Sequence, residues 1–290
     1  MDVTLLHIAG QYWLDWHLHP EVVLPLVLLE VAYLYSVTEV RGMISDAGRV
    51  KRSQVITFSL GVLTLYIAAG TPIHDISEQY LFSVHMVQHL LFTMVAVPLL
   101  LVGTPVWLWQ ALLRGPGVMP VARLLTNPLV AFSVFNAVLV LTHFPSVVDL
   151  ALRHHEFHLF VHMVLVVSAI MMWWPILSTV PELPRLSDPL QMAYLFLQSL
   201  LPAVLASFIT FSEGAVYQFY GEAPRIWGLS AIDDQQIAGG LMKLVGSLIL
   251  WSFIAVAFFR WYQREERESR PPGWPEVEAE LDRLGLSPKQ

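Results

Sequence analysis

Cysteine is absent from the 290 residues, which excludes disulfides, thiolate metal sites and cysteine-held iron–sulfur clusters. Any metal must then be held by His, Met or carboxylate side chains. Charge is scarce too: Asp, Glu, Lys and Arg make up 13% of the chain, where a soluble domain carries about 25%. A basic leader is also missing. Residues 1–20 (MDVTLLHIAGQYWLDWHLHP) have neither a positive start nor a long apolar core, so no cleavable signal is expected. The first apolar run should serve as both insertion signal and permanent helix. Low-complexity segments and a separable soluble domain are likewise lacking.

What fills the chain is hydrophobic, at 56% of residues. Crossing the hydrocarbon core takes about 20 mostly apolar residues. Seven stretches qualify: 21–40, 53–70, 80–101, 128–143, 157–178, 189–211 and 236–260. The second and fourth are short, and the fourth needs its flanks to complete a span. Continuous apolarity, rather than dyad alternation, argues against an outer-membrane barrel. The expected fold is therefore all-α, a polytopic membrane bundle of about seven helices. It divides into an N-terminal segment (1–20), the helical domain (21–260) and a C-terminal tail (261–290).

Orientation follows from Lys and Arg, because cytoplasmic connections collect them. Arg41, Arg49, Lys51, Arg52, Arg114, Arg123, Arg185 and the six cations from Arg260 onward fall in one set of alternating connections. Only Arg153 and Arg225 fall in the other, and Lys243 lies inside a helix. The amino terminus is expected outside and the carboxyl terminus in the cytoplasm. The connection 102–127, rich in Trp, Leu, Gly and Pro, is expected to hold a short interfacial helix. The outer loop 212–236 is long and aromatic and is expected to fold over the outer mouth. PEVEAELDRLG reads as one amphipathic helix started by Pro275.

The histidines were not used to choose that orientation, yet all eleven fall on the outer side. Two pairs stand out, His85-Met-Val-Gln-His89 and His158-Leu-Phe-Val-His162. Residues four apart share a helix face, with Cβ atoms about 5–6 Å apart, so each pair has the reach to bind one ion. Both helices run inward, so the pairs sit at comparable depth, and His143 ends the fourth helix nearby. A lone intramembrane His is as readily a hydrogen-bonding residue that joins helices. The loop residues His7, His17, His19, His154 and His155 read as solvated bystanders.

Other intramembrane polar groups carry the same ambiguity. Glu30 and Lys243 lie at similar depth and read first as a buried ion pair, with Glu30 as a ligand or proton acceptor the alternative. Asn136 and Gln198 read as interhelical hydrogen-bond formers. Asp233 and Asp234 read as solvated N-terminal caps, with a role at the outer mouth as the alternative. Imidazole suits Cu, Zn, Fe and Ni. Copper is the first choice, and residue chemistry leaves zinc open. Met86 and Met163 adjoin the pairs but point about 100° away around the helix, so packing is the expected role.

HMVQHLL in the third helix, THFP ending the fourth, HxxxH opening the fifth and DDQQIAGGLMK leading into the seventh together resemble the CtaG-type family of cytochrome c oxidase assembly proteins. The resemblance covers roughly residues 20–262. It implies a multi-pass protein of the bacterial inner membrane, needed to make an active haem–copper oxidase and acting on its metal centres, plausibly by handling copper. The positions it marks are His85, Gln88, His89, His143, His158, His162, Asp234 and Gln235. The expected function is an assembly factor rather than a catalyst. Copper would be its cargo, and the oxidase subunits and the bilayer its partners, with no nucleic acid involved. The alternatives are a membrane cytochrome with haem held between His89 and His162, a metal transporter using Glu30 and Lys243, and a purely structural use of the polar residues.

Overall fold

A computed structural model describes residues 19–44, 47–269 and 273–284. Among these residues every regular element is helical. Six helices are long and apolar enough to cross a membrane: α1 (Pro20–Thr38), α2 (Arg52–Ala69), α4 (Phe82–Gly103), α9 (His155–Leu177), α10 (Asp188–Thr210) and α12 (Ala231–Glu268). A bent helix pair makes a seventh candidate. The short helices α6 (Val118–Leu125) and α7 (Pro128–Thr142) meet at 72°. Asn127 makes that corner by accepting from the backbone N–H groups of Leu129 and Val130, and Pro128 starts the new helix with no N–H to satisfy.

The remaining helices are short: α3 (Pro72–Gln79), α5 (Val106–Leu113), α8 (Pro145–Arg153), α11 (Gln218–Glu222) and α13 (Trp274–Arg283). The 102–127 connection thus holds two short helices, α5 and α6, where one was expected. The last span also outruns its expected end. It continues as one helix to Glu268, because the charged run after Trp261 still forms helix once it leaves the apolar zone. Leu24, Leu28, Val31, Phe208, Leu244 and Leu248 are exposed on the bundle's outer surface, as lipid-facing side chains of a polytopic membrane protein must be.

Two apolar cores stack along the bundle. One, built on Phe135, Trp173, Trp174, Tyr194 and Leu195, fills the end where the Arg-rich connections lie. The other, built on Phe82, Met86, Ala206, Tyr217 and Tyr220, fills the opposite end, where the histidines are. Helices α10 and α12 pack closely: a Cβ added to Gly239 would come 2.8 Å from the carbonyl oxygen of Ala206. Small residues at such crossings let backbones approach without a hydrophobic driving force.

Helix α4 carries the first histidine pair and is irregular directly below it. Leu91–Ala96 winds as a π-helix, with the Val97 N–H bonding back to Phe92. Pro98 explains the break: in π register the Thr93 carbonyl would need an N–H from Pro98, which has none. Trp173 Nε1 donates to that carbonyl instead, at 2.7 Å. The kink thereby locks α4 to α9, the two helices that carry the HxxxH pairs.

Candidate metal centre

The two HxxxH faces turn toward each other. Ring centroids are 4.2 Å apart for His85 and His89, 4.1 Å for His158 and His162, and 5.3 Å for His85 and His158 across the helices. His85, His158 and His162 each present a ring nitrogen within 4.8 Å of the others, and all three are buried. His89 Nε2 lies 3.2 Å from His162 Nε2. His143 packs edge-on to His89 at 5.6 Å, beside the compact group rather than within it. Its Nδ1 donates to the Leu139 carbonyl, leaving Nε2 as the acceptor nitrogen.

A carboxylate that the sequence reading passed over organises the site. Glu78 Oε1 accepts from His158 Nδ1 at 2.5 Å and lies 3.1 Å from His74 Nε2, too poorly aligned there for a hydrogen bond. Burial pushes Glu78 up, but the His158 hydrogen bond and the nearby imidazoles outweigh it and hold the carboxyl below its ordinary value. Burial pushes His74 below its ordinary value, with Glu78 opposing. With the Nδ1 proton committed to Glu78, His158 Nε2 is a lone pair. It is buried and has no hydrogen-bond partner, and the same is true of His85 Nδ1 and His89 Nδ1. Leaving such atoms unpaired costs about 1–3 kcal/mol each, and two of these rings, His85 and His158, belong with His162 to the compact group, which therefore calls for a ligand.

The supporting residues hold this geometry. Gln88 Nε2 donates to the Ala68 carbonyl at 2.8 Å, which fixes the amide's orientation. The same nitrogen donates to His74 Nδ1 at 3.1 Å, while Ser77 Oγ donates to Gln88 Oε1. Asp234 does not cap its own helix in solvent as expected. It is fully buried and accepts from the backbone N–H groups of Phe82 and Ser83, at 2.7 and 3.0 Å, so it caps α4 from across the bundle. Asp233 alone behaves as expected, beside the N-cap Ser230 of α12. Gln235 accepts from Val216 N–H and donates to the Ile209 and Gly214 carbonyls, tying down the loop between α10 and α12.

That loop does close over the histidine end. Tyr220 donates to the Ser77 carbonyl and Tyr217 to the His143 carbonyl, with both rings buried against Phe82. Met86 is buried in the core below, while Met163 faces outward.

Two expectations fail. Glu30 and Lys243 do not pair: Glu30 accepts from Ser59 Oγ at 2.5 Å, and Lys243 Nζ reaches Ser207 Oγ at 3.1 Å and the Phe211 ring. The helix of Glu30, α1, packs on α2, whereas the helix of Lys243, α12, packs on α10 and α4. His19 is no bystander either. It bonds to Glu21 and Asp75 and packs at 4.7 Å against His74. His154 and His155 are exposed as expected, and His7 and His17 lie outside the described residues. Asn136 donates to Gln198 Oε1 at 3.0 Å, the interhelical bond their types suggested.

The sequence pattern of the cytochrome c oxidase caa3 assembly factors (Caa3_CtaG) matches residues 31–264. The chain belongs to that family. It is also 26% identical over 230 residues to an uncharacterized protein of Mycobacterium bovis, covering 74% of this chain and 35% of the relative. A Mycobacterium leprae protein, likewise uncharacterized, is 23% identical over 265 residues, covering 83% and 38%. The chain thus spans little more than a third of the length of these relatives. No solved structure matches.

Proposed function

We propose that this assembly factor carries copper on His85, His158 and His162, joined by His89, and delivers it to an oxidase subunit during metal-centre formation. The observation that carries the reading is the unpartnered His158 Nε2, aimed by the Glu78 contact on the far side of its ring. A carboxylate that fixes the tautomer of a histidine is the usual second shell of a metal ligand. The donor set fits an ion: two nitrogens bound at about 2.0–2.1 Å in tetrahedral geometry stand about 3.3 Å apart, against 3.2 Å for His89 and His162. A haem held between these two would need them about 4 Å apart, on opposite sides of the iron, with room for the macrocycle. All-imidazole ligation suits cuprous or cupric ions, and residues that exchange readily suit a carrier more than a resident cofactor. The lopsided distribution of Lys and Arg supports the reading that this end faces the extracytoplasmic side of the inner membrane.

Copper analysis of the purified protein should give about one ion per chain, since three or four imidazoles fill one coordination sphere. The His85→Ala/His158→Ala double variant should lose it. Unchanged copper in that variant would overturn the proposal.

A further inference from the structure

The aromatic loop seals the histidine end from above, so an ion must reach the buried nitrogens by another way. Tyr217 and Tyr220 are 1% and 3% exposed and hydrogen-bonded to the bundle. Between α1, α2 and α9, by contrast, runs a groove of 420 Å³ that reaches from Glu21 and His155 to His74, Glu78 and His162. Glu21, His155, His74 and Glu78 of its lining are linked into a series by His19 and Asp75 beside it. His155 Nε2 is 3.6 Å from Glu21, Glu21 is 3.1 Å from His19 Nδ1, and His19 Nε2 is 3.2 Å from Asp75. His19 packs on His74, whose Nε2 is 3.1 Å from Glu78, and Glu78 holds His158.

Exposure falls from imidazole to imidazole along that string. It goes from 49% for His155, through 16% for His19, to 6% for His74 and 3% for His158, while the carboxylates stay partly open, at 36% for Glu21, 18% for Asp75 and 21% for Glu78. A plain set of pins for the start of α1 would account for the His19 contacts. It would not account for His74 and Glu78, which continue from the His19 ring to His158 through contacts of 4.7 Å between ring centroids, 3.1 Å and 2.5 Å. Three carboxylates, Glu21, Asp75 and Glu78, alternate with the imidazoles and supply the negative field that draws a cation inward. We infer that His19, Asp75, His74 and Glu78 form a loading relay, along which a copper ion passes from the exposed Glu21–His155 pair to the buried histidines. Glu78 is the last carboxylate of the relay, beside His74 and the Nδ1 edge of His158, and His162 stands at the inner end of the same groove.

This inference rests on the copper reading, and one experiment separates the two. Full-length protein in detergent is mixed with copper(I) supplied on a coloured chelator, and both the rate and the final extent of transfer are read from the chelator's absorbance. The His19→Ala/Asp75→Asn variant should load at least about tenfold more slowly, the scale of lost electrostatic guidance, while reaching the same final extent. The surface variant Glu21→Gln/His155→Ala, which leaves every buried contact in place, should also slow loading. Wild-type rates in both variants would overturn the relay and leave the copper site standing. No transfer to the unaltered protein would overturn the copper site and the relay with it.

Discussion

The two ends of this bundle both bury polar side chains, and they do so in opposite ways. At the Arg-rich end, Asp188 is buried with both oxygens engaged, one by Arg260 at 3.2 Å and the other by Arg264 at 3.0 Å. Arg260 also donates to Gln191 Oε1, and the Gln191 amide nitrogen donates to the Leu186 carbonyl. That network closes on itself and ties the start of α10 to α12. At the histidine end the contacts stop short: His85, His89 and His158 each keep a buried nitrogen with no partner. A closed network is architecture. An open one, built from residues that all offer lone pairs, is a place for something else to bind.

The comparison is sharpest where one substitution at each end should separate binding from stability. Glu78→Gln keeps the shape of the side chain and weakens its hold on the His158 tautomer. Copper affinity should fall about 10- to 100-fold, with thermal stability in detergent nearly unchanged; competition titration against a chelator measures it. An unaltered affinity would mean that the Glu78 contact does not aim His158. Asp188→Asn at the other end should do the reverse on a smaller scale. Its two guanidinium partners are 40% and 52% exposed and can regain water, so the loss of stability should be about 1 kcal/mol, with copper content intact. Copper lost from Asp188→Asn would show that the two ends are coupled, against this account.

Depth was legible from the sequence, and rotation was not. Counting residues from the charged connections located the spans and put both HxxxH pairs at one level, and the structure brings those four rings together. The same counting matched Glu30 with Lys243, which proved to bond to different helices, α2 and α10. Depth along a helix is set by hydropathy. Direction around it, in a bundle apolar on nearly every face, is set by packing that one sequence does not display. His74 and Glu78 were passed over for a related reason. They lie on α3, a short polar helix outside the spans, where a His and a Glu read as solvated. Their four-residue spacing was the available signal, the same one that flagged the HxxxH pairs. His19 was misjudged likewise, because a polar residue before the first span looks free until the groove beside it is seen. Asp234 shows the limit most plainly: its neighbours suggested a cap, and it is one, but for a helix some 150 residues away in sequence.

X-ray absorption at the copper edge of the loaded protein tests the central claim most directly. The account predicts a first shell of three or four nitrogens at about 2.0 Å with the outer-shell scattering of imidazole rings. A sulfur shell at about 2.3 Å, or a shell of oxygen without imidazole scattering, would contradict it.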